Sequence, residues 1–146
     1  MTLVSCSLKK NQPSEGSQGV LQEYISESFH IKNVADRDRL LNLLTGLSKT
    51  RLAAWSTEQF MQAFVENKRE FVKLVILEKK KLSSTEENIT YELIYLDYGR
   101  SQRKQGIQVT NKKLCHVVNQ QGKWLISEMH NIKELVEYRN EMTFPY

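Results

Sequence analysis

The sequence predicts an α+β domain, with N-terminal helices packed on a curved four-stranded antiparallel sheet and a short C-terminal helix. Three observations carry that fold class. Residues 87–98, ENITYELIYLDY, alternate in polarity and are rich in aromatic and β-branched side chains, which suits a pleated, half-buried surface. After Asn67 the apolar period changes from helical to alternating. Asn119-Gln120-Gln121-Gly122 then separates two strand-like runs, with glycine where a hairpin needs a positive φ.

The helices come first. Over residues 18–29, Val20, Leu21, Tyr24, Ile25 and Phe29 share one helical face. Asn33, with Asp36 three residues on, is an acidic relative of a capping box. It opens a second helix whose stripe is Leu40, Leu41, Leu44 and Leu47, with Gly46 weakening its last turn. A short helical piece follows at residues 49–54, near Trp55. Ser56 with Gln59 caps a third helix over 57–67, with Phe60, Met61, Phe64 and Val65 inward.

Strands are predicted at residues 70–82, 88–98, 106–119 and 123–130. In the second, Ile89, Tyr91, Leu93 and Tyr95 face one way and Thr90, Glu92, Ile94 and Leu96 the other. In the fourth, Trp124 and Ile126 share a face, which makes Trp124 a core residue. Asn131 and Glu134 form an N-x-x-E cap ahead of Ile132, Leu135, Val136 and Tyr138, the expected C-terminal helix.

Size and charge narrow the function classes. At 146 residues the chain has the length of one domain with a proper core. No apolar run approaches the roughly 20 residues that span a bilayer. The net charge of +4 is spread over Lys79, Lys80 and Lys81 and over Arg100, Arg103 and Lys104. No binding motif accompanies it, so no nucleic-acid partner is expected. Two cysteines, Cys6 and Cys115, give no disulfide framework. Cys115, within a strand, is expected to be a buried, inert thiol.

Leu3-Val4-Ser5-Cys6 resembles a bacterial lipobox. The resemblance implies cleavage before Cys6, a diacylglycerol on its thiol, and a lipid-anchored domain facing the periplasm. Residues 7–19, polar with one proline and two glycines, read as a tether. The domain organisation is therefore a lipobox remnant and tether at 1–19 and a single domain at 20–146. A lipobox normally follows an apolar signal segment, which the first five residues do not hold. The lipoprotein reading thus expects that signal upstream, and its alternative is a cytosolic protein.

From about Val20 to Met129 the order of elements, with the ending Gly122-Lys123-Trp124, resembles the cone-shaped nuclear-transport-factor-like superfamily. Small bacterial lipoproteins of unassigned function share that fold and ending. Enzymes of the superfamily, ketosteroid isomerases and dehydratases, place an acid or histidine in the mouth of the cone. The candidates by type are Asp36, Asp97, His30 and His116. Each also has an ordinary explanation: a cap for Asp36, a turn for Asp97, a helix end for His30 and a hydrogen-bonded packing role for His116. Trp55, Tyr91 and Tyr95 are pocket candidates, with core filling as the competing role. His30, His116 and His130 have no zinc spacing, there is no phosphate loop or nucleophile elbow, and neither cofactor nor metal is expected.

The reading is a non-enzymatic, membrane-tethered envelope domain that binds a ligand or protein partner. The alternatives are a small-molecule isomerase- or dehydratase-like enzyme using His116 or Asp97, and a cytosolic scaffold or homodimer using the sheet face.

Overall fold

The structure, a computed structural model, describes residues 16–100 and 105–137. Its helices are α1 (Ser17–Ser28), α2 (Arg37–Leu41), α3 (Gly46–Ala54) and α4 (Thr57–Met61), with a 3₁₀ turn at Val34–Asp36 and a π-helical turn at Gln62–Glu66. Four strands follow, β1 (Lys68–Ser83), β2 (Glu86–Gly99), β3 (Ile107–Gln120) and β4 (Lys123–Glu137). They form an antiparallel meander in the order β1-β2-β3-β4. The α+β class and the four-stranded antiparallel sheet are those the sequence predicts.

Both capping boxes form. Asn33 accepts from the Ala35 amide at 3.0 Å while Asp36 accepts from the Asn33 amide at 3.2 Å. Ser56 Oγ accepts from the Gln59 amide at 3.0 Å, and Gln59 Oε1 accepts from the Ser56 amide at 2.9 Å. Arg37 joins these two pieces. Its guanidinium donates to the Trp55 carbonyl at 2.8 Å and to the Ser56 carbonyl at 3.4 Å, and lies 4.9 Å from the centroid of the Phe60 ring. It thereby ties the end of α3 to the start of α4.

The core lies between the helices and the concave face of the sheet. Leu21, Leu40, Phe60, Ile89, Tyr91, Cys115, Val117 and Ile126 are completely buried there. On β2 the inward set is Ile89, Tyr91 and Leu93, as the alternation predicts. The β3–β4 hairpin turns on Gln121 and Gly122 at φ 55° and 86°, the two successive positive values of a type I′ turn.

Several expectations need correction. Ser17, Gln18 and Gly19 belong to α1 rather than to the tether. The second helix stops at Leu41, because the chain then runs along the outer edge of β4. Ile126 donates to the Leu43 carbonyl at 2.9 Å and accepts from the Thr45 amide at 2.8 Å, so Leu44 forms a parallel bridge to Ile126. Gly46, at φ +53°, starts α3 instead of ending α2, and Leu47 is left exposed. Trp124 packs against the core but stays partly accessible.

The C-terminal helix expected from Asn131 is strand through Glu137, the last described residue of β4. Its Lys133, Glu134, Leu135, Val136 and Glu137 pair with Lys112, Asn111, Thr110, Val109 and Gln108. Without that pairing the N-terminal half of β3 would have no partner on this side. Ile132 and Leu135 are both about half exposed, so no core awaits an apolar helical stripe at this point.

Candidate functional site

The acid and histidine candidates do not converge. Asp97 Oδ1 accepts from the Gly99 amide at 2.8 Å, a local turn bond. Asp36 is held in its capping box, and the Lys32 amide, donating at 2.8 Å, lowers its carboxyl below the usual range. His30 Nδ1 lies 2.6 Å from the Ser26 carbonyl at the end of α1. Each therefore has a local hydrogen-bonding role.

His116 has two partners from other strands. Its Nδ1 lies 2.7 Å from Ser127 Oγ and its Nε2 lies 3.0 Å from Glu86 Oε1. Ser127 is the extra residue of a β-bulge between the pairs His116–Glu128 and Val117–Ile126. Its Oγ is also 3.1 Å from the His116 carbonyl. His116 alternates with the buried Cys115 and Val117 and so projects from the convex face. The chain Ser127–His116–Glu86 ties β4, β3 and β2 together at the bulge. Sequence alone missed Ser127 and Glu86, because the contacts depend on registers across 11 and 30 residues.

The pocket candidates separate as well. Tyr91 is wholly buried with its hydroxyl 3.8 Å from Met129 Sδ, and burial pushes its phenol above the ordinary range. It fills core. Trp55 stacks 6.0 Å from Phe64 at the helical surface. Tyr95 is different, for it is only partly buried and lies against Phe29 and Arg69.

Two cations lie on the same face of the sheet as Tyr95, and neither was singled out from the sequence. Arg69 lies with its guanidinium 4.7 Å from the Phe29 centroid, 5.5 Å from Tyr95 and 5.9 Å from Phe64. It donates to the Ser28 carbonyl at 3.5 Å. Ring faces attract a guanidinium through their negative quadrupole, so these three rings fix its position. Phe29 meets Tyr95 and Phe71 edge-on, at 6.0 and 5.7 Å. Burial lowers the pKa of Arg69 from its ordinary value, against the opposing pull of Tyr95 and Asp97.

Lys113 pairs with Tyr91 across β2–β3 and with Asn131 across β3–β4. It follows the inward parity of Val109, Cys115 and Val117, and that is the signal by which the sequence could have exposed it. Its ammonium makes neither hydrogen bond nor ion pair with any described residue. Burial first, and the Arg69 charge second, push its pKa down, while Glu134 pulls it up. Tyr24 of α1 lies within electrostatic reach of Arg69 and Cys115, and burial pushes its phenol up to about 12. Asn131, the strand partner of Lys113, and Glu134 of β4 are exposed. Among the described residues no group of His, Cys, Asp and Glu could hold a metal ion. Cys6, the expected lipidation site, lies outside the described residues.

No family model matches the sequence, and no curated protein matches it. The fold is similar to that of the intermembrane space region of chloroplast protein ARC6. The TM-score is 0.57 at 11% identity, covering 82% of this chain and 98% of that one. At that identity the likeness is one of fold.

Proposed function

We propose that the chain is a non-enzymatic binding domain of the bacterial cell envelope, held at the membrane by lipid on Cys6, with its ligand taken at the concave mouth. The nuclear-transport-factor-like resemblance belongs to this proposal. The observation that carries it is a contrast between two sets of side chains. Asp36, Asp97 and His30 are engaged in caps and turns, whereas Lys113, at an inward-facing position of β3, has no hydrogen-bond or ion-pair partner among the described residues. A convergent general acid and base would have argued for catalysis, and the mouth offers cations and rings instead.

The membrane half of the proposal is separately testable. Among the described residues no helix is long and apolar enough to cross a membrane. One acyl chain anchors only marginally, so stable attachment takes two or more. Expressed from its natural reading frame in a bacterial host, the protein should enter the detergent phase and gain lipid mass at Cys6. Cys6→Ser should remove both while the domain still folds. A wild-type protein that stays aqueous with an unmodified Cys6 moves the proposal to its cytosolic alternative, a scaffold or dimer through the sheet face.

One observation favours an enzyme as the second reading. Ser127, His116 and Glu86 form a hydrogen-bonded nucleophile–base–carboxylate series. Labelling of Ser127 by a fluorophosphonate, lost in His116→Ala, would establish it. Absence of labelling leaves the series as a strand tie.

A further inference from the structure

We propose that the convex face of the sheet binds a second copy of this chain, the two sheets packing face to face about a two-fold axis parallel to the strands. The inference concerns the face opposite the proposed ligand mouth, and it holds whether or not Cys6 carries lipid. The described helices and the core lie on the concave side, so among the described residues the outward side chains of the four strands have no covering layer. An antiparallel sheet can turn one face to water, and that face is then ordinarily polar at its outward positions. Here Ile94, Leu96, Leu114, Val118 and Leu135 all point outward. None of them is buried, and Leu135 is 50% exposed. The charges set among these apolar side chains select the occupant.

The strand registers place the outward residues in rows across the sheet. The middle row is Val75, Glu92, Lys112 and Lys133. On one side of it lies Lys73, Ile94, Thr110 and Leu135, and on the other Glu78, Thr90, Leu114 and His130. A two-fold parallel to the strands, midway between β2 and β3, lays each row on its own reversed copy, as an isologous contact requires. Glu92 then meets Lys112 of the second copy, and Lys112 meets Glu92. Since Glu92 and Lys112 are also strand partners within one copy, the four charges alternate in sign around the axis. Ile94 meets Thr110, Thr90 meets Leu114 and Glu78 meets His130. Lys73 and Lys133, both exposed, fall at the rim opposite Leu135 and Val75, where a lysine stem can cover apolar surface while its ammonium reaches water. In the outermost row Glu70 meets Glu137, but both are exposed at the rim, where solvent screens them. A two-fold across the strands through the middle row would instead set Glu92 on Glu92 and Lys112 on Lys112.

The test is the mass of the full chain in solution, read by sedimentation velocity at micromolar to millimolar concentration. The wild type should be a dimer. Glu92→Lys and Lys112→Glu each place like charges around the axis, and each should weaken the dimer roughly tenfold or more. Mixed one to one, the two variants should recombine into a heterodimer, because each presents the charge that the other lacks. No effect confined to a single copy produces recombination on mixing. The double exchange, Glu92→Lys with Lys112→Glu, should restore the homodimer. Should either single variant fail to fold, carbodiimide cross-linking of a mixture of isotope-labelled and unlabelled wild type reads the same contact. Glu92–Lys112 links that join a labelled chain to an unlabelled one are then expected, and links confined to one chain overturn the proposal. A monomeric wild type also overturns it, and leaves the face to another occupant, whether residues 138–146 of the chain itself or a different protein. A dimer indifferent to both single substitutions lies on another surface and overturns it equally. Single variants that are monomeric but do not recombine on mixing overturn the two-fold arrangement.

Discussion

Cys115 has the clearest single-residue consequence in solution. Its thiol is wholly buried and free, and burial raises its pKa from 9.0 to about 12. In the unfolded chain the thiol ionises near pH 9, while in the folded chain it keeps its proton. The folded state therefore holds more protons between these values, and its stability falls as pH rises from about 9 to 12. The slope approaches about 1.4 kcal/mol per pH unit where the two states differ by a full proton. Tyr24 acts in the same direction from pH 10 to about 12. Lys113 opposes them: its folded pKa is lowered, so the cost of its charge is present at neutral pH and relieved as pH rises through that value. Guanidinium unfolding at pH 8 and pH 10.5 should show a smaller alkaline loss for Cys115→Ala than for the wild type. Identical losses would mean that the thiol is not protected. The inertness of Cys115 was legible from its place in a strand. The character of Lys113 was not, because its parity becomes informative only when a concave face exists for it to point toward.

At the scale of elements, local signals worked where an element is local. Ser56 with Gln59 and Asn33 with Asp36 are three residues apart, and each closes its box within one turn. Helix α4 has only five α-helical residues, too few to persist without its cap and its tertiary packing. Ser56→Ala should cost about 1 kcal/mol by urea denaturation, and an unchanged midpoint would show that Arg37 and Phe60 hold this end without the serine. The same kind of signal misled at Asn131 and Glu134, where an N-x-x-E cap lies inside a 15-residue strand. A cap of about that size is outweighed by the backbone pairing of β4 with β3. On β1 the residues left without partners in its ladder, Val72, Leu77 and Leu82, fall at bulges and are all exposed. Bulges at an outer strand increase twist and interrupt a flat edge, which accounts for apolar side chains on an edge that is also rich in lysine.

At the scale of the molecule, the helical layer is locked to the sheet by backbone as well as by core. Leu43, Leu44 and Thr45 lie alongside β4, and the amide and carbonyl of the fully buried Ile126 are both satisfied there. Thr45→Pro would remove the donor to the Ile126 carbonyl and force φ away from −148°. A buried carbonyl without a partner costs about 1–3 kcal/mol and the proline conformation adds to it. The expected loss is therefore at least about 2 kcal/mol by chemical denaturation, whereas Thr45→Val, which keeps the amide, should lose much less; equal losses would place the effect in the side chain. No local pattern in Leu43-Leu44-Thr45 announced this bridge. What the sequence by itself determined was the α+β class, the antiparallel hairpins, the two capping boxes and the inward set of β2. Those follow from periodicities of 3.6 and 2 and from bonds spanning three or four residues. Only the tertiary structure decided that β4 continues to Glu137, that Ser127 and Glu86 meet His116, and that Arg69 lies against the rings of Phe29, Phe64 and Tyr95. Each of these depends on strand register and on which surface the helices cover, and both are set by burying the core as a whole.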